Sequence, residues 1–309
     1  VVESTRIHVA GHTGLVGSAL VRALHAAGYE RLILRTRQEL DLCDQGAVDR
    51  FFAAERPEVV ILAAARVGGI LANDARPADF IRDNLLIQSN VIDSAHRHGA
   101  ARLLFLGSSC VYPRDAPQPM REQHLLTGPL EPTNQWYAVA KIAGIKLCEA
   151  YRRQHNFRAT SAMPTNLYGP GDNFDLTSSH VLPALLRKCH DATRAGASEV
   201  AVWGTGTPRR EFLHVDDLAA ACLHLLHRDD GNDLVNIGTG LDLTIHELAS
   251  LISDVVGFRG TLRFDPSRPD GAPRKLLDVS RITALGWRPR IGLRDGIEAT
   301  YRWFLENHG

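Results

Sequence analysis

The sequence predicts an α/β protein: a doubly wound parallel sheet followed by a smaller C-terminal domain. Three observations carry this expectation. Short apolar runs without polar alternation recur in the first half, as expected of strands buried on both faces. Helical patterns separate them and give repeated βα units. Closely spaced glycines, Gly11, Gly14 and Gly17, join the first strand to the first helix.

Taken in order, residues 6–10 read as the first strand, and a helix to about residue 27 follows the glycine turn. Residues 32–35, 59–64 and 103–106 are the next expected strands. Residues 78–98 and 137–154 carry helical spacing. After Pro164 the rhythm loosens. Residues 169–171, 205–208 and 268–273 are rich in Gly, Pro or Asp and read as loops. Residues 180–190, 244–256 and 293–306 read as helices. Residues 233–238 look like one more buried strand that returns to the main sheet. The expected division is residues 1–165 as a Rossmann-type nucleotide-binding domain, with a return segment near 212–240, and residues 166–309 as mainly substrate-binding.

Composition narrows the class. With 309 residues and 44% hydrophobic content, the chain can bury a sizeable core, which excludes wholesale disorder and fibrous repeats. Basic and acidic residues balance at 35 each, so neither nucleic acid nor a membrane is an expected partner. Five scattered cysteines without a Cys-x-x-Cys pair argue against a disulfide framework and a thiolate zinc site, and no metal is expected. No signal-peptide pattern is visible, no apolar run is long enough to span a bilayer, and a reducing cytoplasm is the expected setting. Since the chain opens on Val1 rather than Met, processing or trimming is expected there. Only four residues are lysine (Lys141, Lys146, Lys188, Lys275), which gives weight to any lysine at a meaningful position.

The glycine turn suits a dinucleotide. Its glycines allow a tight turn and a close approach to a pyrophosphate, with helix N–H groups aimed at the phosphates. Where a site for NAD carries an acidic residue after the second strand, this chain reads Leu34-Arg35-Thr36-Arg37. An arginine there can fork onto a 2′-phosphate, which favours NADP(H). A surface arginine in an arginine-rich chain would look the same. Tyr137 and Lys141 are spaced to share a helix face, so a phenol and an ammonium can act together on an alkoxide. Ser108 follows the fourth strand, at the sheet end where ligands bind.

Glycine turn, serine and Tyr-x-x-x-Lys together resemble the extended short-chain dehydrogenase/reductase family. Residues 63–70 (AAARVGGI), 107–113 (GSSCVYP), 116–120 (APQPM), 137–144 (YAVAKIAG), 166–174 (NLYGPGDNF) and 210–217 (REFLHVDD) narrow this. They resemble the GDP-L-fucose synthases, and the likeness runs over nearly the whole chain. The resemblance implies NADPH-dependent 3,5-epimerisation and 4-keto reduction of GDP-4-keto-6-deoxy-D-mannose. It also implies a homodimer formed through helices near residues 84–98 and 137–154.

By position, the resemblance implies Ser108, Tyr137 and Lys141 for reduction, with Lys141 lowering the tyrosine pKa. Cys110 is the implied epimerising base and His180 its acid partner. The implied cofactor shell is Gly11, Gly14, Gly17, Arg37, Leu106, Lys141, Pro164, Asn166 and His180. The sugar nucleotide would meet Lys188, Trp203, Arg210 and Asp270. Taken alone, Cys110 reads as a small buried hydrophobe and His180 as a first-turn helix residue, while Trp203 could be core and Arg210 an ion-pair member. Departures from the family pattern are Thr13, Arg66, Gln135-Trp136 and Arg209; the tryptophan is expected beside the sugar site. A 4-reductase of a related 4-keto-6-deoxy sugar nucleotide, without full epimerisation, stays open as the alternative. Plain reduction has no need of Cys110 with His180.

Overall fold

A computed structural model describes residues 2–228, 234–268 and 270–308. The first part runs β1 (Ile7–Ala10), α1 (Leu15–Ala26), β2 (Leu32–Ile33), α2 (Gln45–Glu55), β3 (Val59–Leu62), α3 (Ile70–Ala75) and α4 (Pro77–Arg97). It continues with β4 (Arg102–Leu106), α5 (Gln135–His155) and β5 (Arg158–Pro164). Next come β6 (Asn166–Tyr168), α6 (Val181–Ala195), β7 (Glu199–Trp203), β8 (Arg209–His214), α7 (Val215–Leu226) and β9 (Leu234–Ile237). The chain closes with β10 (Asp242–Thr244), α8 (Ile245–Val256), β11 (Thr261–Asp265), β12 (Arg274–Lys275), α9 (Ser280–Ala284) and α10 (Leu293–His308).

The main sheet is parallel throughout, in the order β2-β1-β3-β4-β5-β9. β1 and β3 are buried at every position, because helices cover both faces. One apolar cluster packs α1 and α7 on one face, and a second packs α2, α4 and α5 on the other. A third cluster, built on α6, α8 and α10, forms the core of the remainder. There β8 pairs with β6, β10 and β12, while β7 pairs with β11.

The chain leaves β1 and β3 on either side of the point where strand order reverses, which is where open sheets bind ligands. The turns after those strands touch. A Cβ on Gly11, whose φ is +84°, would lie 2.7 Å from the Ala64 backbone, so only glycine fits. Local signals set several helix ends. The Asp44 carboxylate accepts the Ala47 N–H, and Thr244 with Glu247 forms a capping box on α8.

The expected return strand is present as β9, paired with β5, although Asp233 lies outside the described residues. β5 itself is not legible in the sequence. Its segment Arg-Ala-Thr-Ser-Ala-Met-Pro offers small and polar side chains instead of an apolar run, and tertiary pairing makes it a strand.

Candidate active site

A cavity of about 910 Å³ opens at the C-terminal ends of β1, β3, β4 and β5 and is closed on its far side by described residues between Asn166 and Lys275. Every site residue singled out in the sequence lines it. Gly11, Gly14, Gly17 and Arg37 form one end. Leu106, Ser108, Cys110, Tyr137, Lys141, Pro164, Asn166 and His180 form the middle, and Lys188, Trp203, Arg210 and Asp270 the other end.

The glycine end fits a dinucleotide phosphate. Gly14 caps α1 with no side-chain bond, and no acidic residue stands in the first turn, so N–H groups there are free for an anion. Gly17 is buried against the turn, where an added Cβ would collide with the Gly11 carbonyl and lie 2.7 Å from the His12 Cα. The two arginines after β2 separate by partner. Arg35 is tied to Glu55 at 2.5 Å and to the Leu34 carbonyl, whereas Arg37 is exposed at the cavity rim with no partner among the described residues. Five buried side-chain oxygens of cavity-lining residues also lack hydrogen-bond partners among the described residues: Asn73 Oδ1, Glu131 Oε2, Asn134 Oδ1, Asp172 Oδ2 and Ser179 Oγ. Burial raises the Asp172 carboxyl to about 7.

Lys141 is 3% exposed and donates to the Leu106 carbonyl at 2.7 Å. Its Nζ lies 4.7 Å from the Phe105 ring centroid and 5.8 Å from that of Tyr137. Burial lowers its pKa to about 8. Tyr137 departs from expectation. Burial first, and Cys110 second, push its phenol above the ordinary value. The phenol is therefore held protonated. Ser108 accepts the Cys110 N–H at 3.4 Å, which leaves its own O–H free to donate into the cavity.

Cys110 sits in the turn after β4 and is 7% exposed. Burial raises its thiol, against the opposing pull of Lys275, Ser108 and Lys141. His180 begins α6 in extended backbone, open on its cavity side. The enclosing walls, and then Lys275, lower its pKa. The thiol and the imidazole thus open into the same space as Tyr137.

At the far end Trp203 is 41% exposed and not part of the core. Lys188 and Arg268 lie over its ring at 5.1 and 5.2 Å. Lys188 also donates to the Ala201 carbonyl at 3.0 Å. Among the described residues Arg210 bonds the carbonyls of Arg209 and Asp270 and no carboxylate. The Asp270 carboxylate lines the cavity at this end. It already accepts the Thr205 N–H and hydroxyl, both at 2.8 Å, so it holds the loop after β7. Trp136 departs from expectation: it is exposed on α5 and does not line the cavity. Arg66 lines the cavity but is held by Asp83 and Asp79 at 2.6 and 3.0 Å. Arg209 pairs with Asp242.

Sequence reading missed Lys275, which lines the cavity near Cys110 and His180. Its signal was scarcity: it is one of four lysines in the chain.

A parallel sheet with a glycine turn, a Ser-Tyr-Lys set and further acid–base groups lining the same cavity defines a nucleotide-dependent oxidoreductase with room for proton transfer. Residues 7–238 match the model of the NAD dependent epimerase/dehydratase family, and the chain belongs to that family. It is 61% identical to GDP-L-fucose synthase 1 of Arabidopsis thaliana, over 99% of this chain and 94% of that one. Against GDP-L-fucose synthase of Escherichia coli the identity is 56%, covering 99% and 98%. A solved GDP-L-fucose synthetase from Naegleria fowleri bound to NADP superposes with a TM-score of 0.91 at 28% identity, covering 100% and 96%. Among the described residues no helix is long and apolar enough to cross a membrane.

Proposed function

We propose that this protein epimerises C3 and C5 of GDP-4-keto-6-deoxy-D-mannose and reduces its C4 ketone to give GDP-L-fucose, with NADP(H) as cofactor. The observation that carries the reading is one cavity lined by both Cys110 with His180 and Ser108 with Tyr137 and Lys141. The C4 ketone acidifies the protons on C3 and C5, because the resulting carbanion is an enolate. Cys110 as thiolate removes one proton, the electron pair moves onto the C4 oxygen, and His180 returns a proton from the opposite face. Both carbons need the same exchange. NADPH, when bound, supplies hydride to C4. Ser108 then steadies the C4 oxygen by hydrogen bonding, and Tyr137, held protonated by burial, gives that oxygen its proton. Lys141 holds the nicotinamide ribose. Arg37 takes the 2′-phosphate, and the α1 N-terminus with Gly11, Gly14 and Gly17 takes the pyrophosphate. Leu106, Pro164 and Asn166 complete the cofactor wall. Lys188 and Arg210 suit the diphosphate of the sugar nucleotide, and Trp203 offers it a flat apolar face.

The reading includes a cytoplasmic setting, in keeping with five free cysteines. It includes a homodimer through α4 and α5, where Leu86, Trp136 and Val139 leave apolar surface exposed. The test is turnover in heavy water. Deuterium is expected at C3 and C5 of the product, and Cys110→Ser is expected to stop that uptake while reduction of an already epimerised ketone continues. Product that keeps its original configuration and carries no deuterium would leave a plain 4-reductase.

A further inference from the structure

Three of the four lysines in this chain line the same cavity: Lys141, Lys188 and Lys275. The first two are bonded to backbone carbonyls. Lys275 has no hydrogen-bond or ion-pair partner among the described residues. An enclosed ammonium without a partner is costly, so its retention points to a negative charge supplied when the site works.

The backbone fixes where Lys275 points. In β12 it is paired with Arg210 of the parallel strand β8, and paired residues of neighbouring strands project from the same sheet face. The residues after it are clamped. Leu276 N–H donates to Gln118 Oε1 at 2.9 Å, and Leu277 N–H to the Glu211 carboxylate at 3.0 Å. Glu211 is fully buried and also takes the N–H groups of Thr239 and Gly240, at 2.6 and 2.7 Å. A rigid segment therefore carries this lysine into the cavity.

The charged and titratable groups facing Lys275 are Cys110 from the turn after β4, His180 from the start of α6, Arg210 from β8, and Glu131 ahead of α5. Cys110 itself is faced by Lys275, by Lys141 and Tyr137 of α5, and by Ser108 of its own turn. Of the two cations, Lys141 is committed to the Leu106 carbonyl, whereas the Lys275 ammonium has no such bond among the described residues.

We propose that Lys275 is the positioning residue of the epimerising pair: its ammonium stabilises the negative charge on the Cys110 sulfur while that sulfur takes a proton from C3 or C5. The proposal rests on Cys110 being the base. The same charge disfavours the imidazolium of His180, which makes the protonated ring a readier donor. One cation thus favours a base prepared to accept and an acid prepared to give. Lys275 acts by its charge, although burial lowers its pKa, and no bond to it forms or breaks.

The experiment follows alkylation of Cys110 by iodoacetamide against pH, read by mass on the peptide that carries it, in the full chain with NADPH bound. Wild type, Lys275→Met and Lys275→Arg are compared, with deuterium uptake at C3 and C5 measured in parallel. The thiolate is the species alkylated. In Lys275→Met the alkylation midpoint is expected to move up, with alkylation at neutral pH and deuterium uptake each roughly tenfold slower. Lys275→Arg is expected to restore both. NADPH fluorescence titration reports folding, and Lys275→Gln replaces Lys275→Met if that variant fails to bind NADPH. An unmoved midpoint in the neutral variant overturns the proposal. An unmoved midpoint with a raised KM for the GDP-sugar also overturns it and assigns Lys275 to the diphosphate. Undiminished deuterium uptake in Cys110→Ala removes the parent reading as well. That result is distinct from an unmoved midpoint in a chain whose uptake does depend on Cys110.

Discussion

Replacing Lys141 by Met tests how the fold holds a charge inside the site. Lys141 is 3% exposed, and burial brings its pKa from 10.5 down to about 8. That displacement corresponds to ~3 kcal/mol lost from folding stability at neutral pH, where the group is still charged. Methionine fills a similar volume without the charge. Its cost is the Leu106 carbonyl left without this donor, about 1–2 kcal/mol. The cofactor-free variant should therefore be more stable than wild type by about 1–2 kcal/mol, a rise of roughly 1.5–3 °C in Tm. The sign follows from linkage. The folded pKa lies below the unfolded one, so between about 8 and 10.5 the unfolded chain binds more protons. Wild-type stability from this group then rises with pH. The advantage of Lys141→Met should be full below pH 8 and fade toward 10.5. Urea unfolding of both proteins at about pH 7 and about pH 9.5 measures it, since titrations common to both cancel. A variant less stable than wild type at about pH 7 would refute the reasoning, as would an advantage independent of pH. Reductase activity should be lost in the same variant, which would place the destabilising charge there for chemistry.

Two further outcomes concern the cofactor end. Gly17→Ala should destabilise the fold by roughly 3 kcal/mol, because its Cβ meets backbone atoms of Gly11 and His12 that cannot rotate away. Gly14→Ala, whose Cβ would meet only the Gly11 carbonyl oxygen at 3.6 Å, should keep its stability and weaken NADPH binding; calorimetry and fluorescence titration separate the two. Arg37→Ser should reduce NADPH affinity by roughly 10–100-fold, the value of a charge-assisted contact, and leave NADH affinity nearly unchanged. Equal losses for both nucleotides would detach Arg37 from the 2′-phosphate.

Much of the first half was legible before any coordinates. Buried parallel strands need apolar residues at consecutive positions, and β1, β3 and β4 show that pattern directly. The Gly11-Gly14-Gly17 turn and the Tyr137–Lys141 spacing are local, so sequence contains them whole. β5 and the short strands β6, β8, β10 and β12 were not legible, because partners distant in the chain supply their hydrogen bonds. The direction of the Tyr137 pKa was misjudged for a related reason. Spacing reveals the neighbouring ammonium but not the burial that raises the phenol.

The sequence by itself determined the class of fold, the nucleotide turn and the kinds of groups available for proton transfer, since each follows from short-range pattern. Only the tertiary structure decided which of those groups share one space. Cys110, His180 and Lys275 stand far apart along the chain and lie on three different elements. They line one cavity because the main sheet presents the thiol, α6 begins at the same space, and Glu211 fastens the segment that carries the lysine. Solvation and charge act through distance in space, and that distance is set by packing between segments that no local pattern connects.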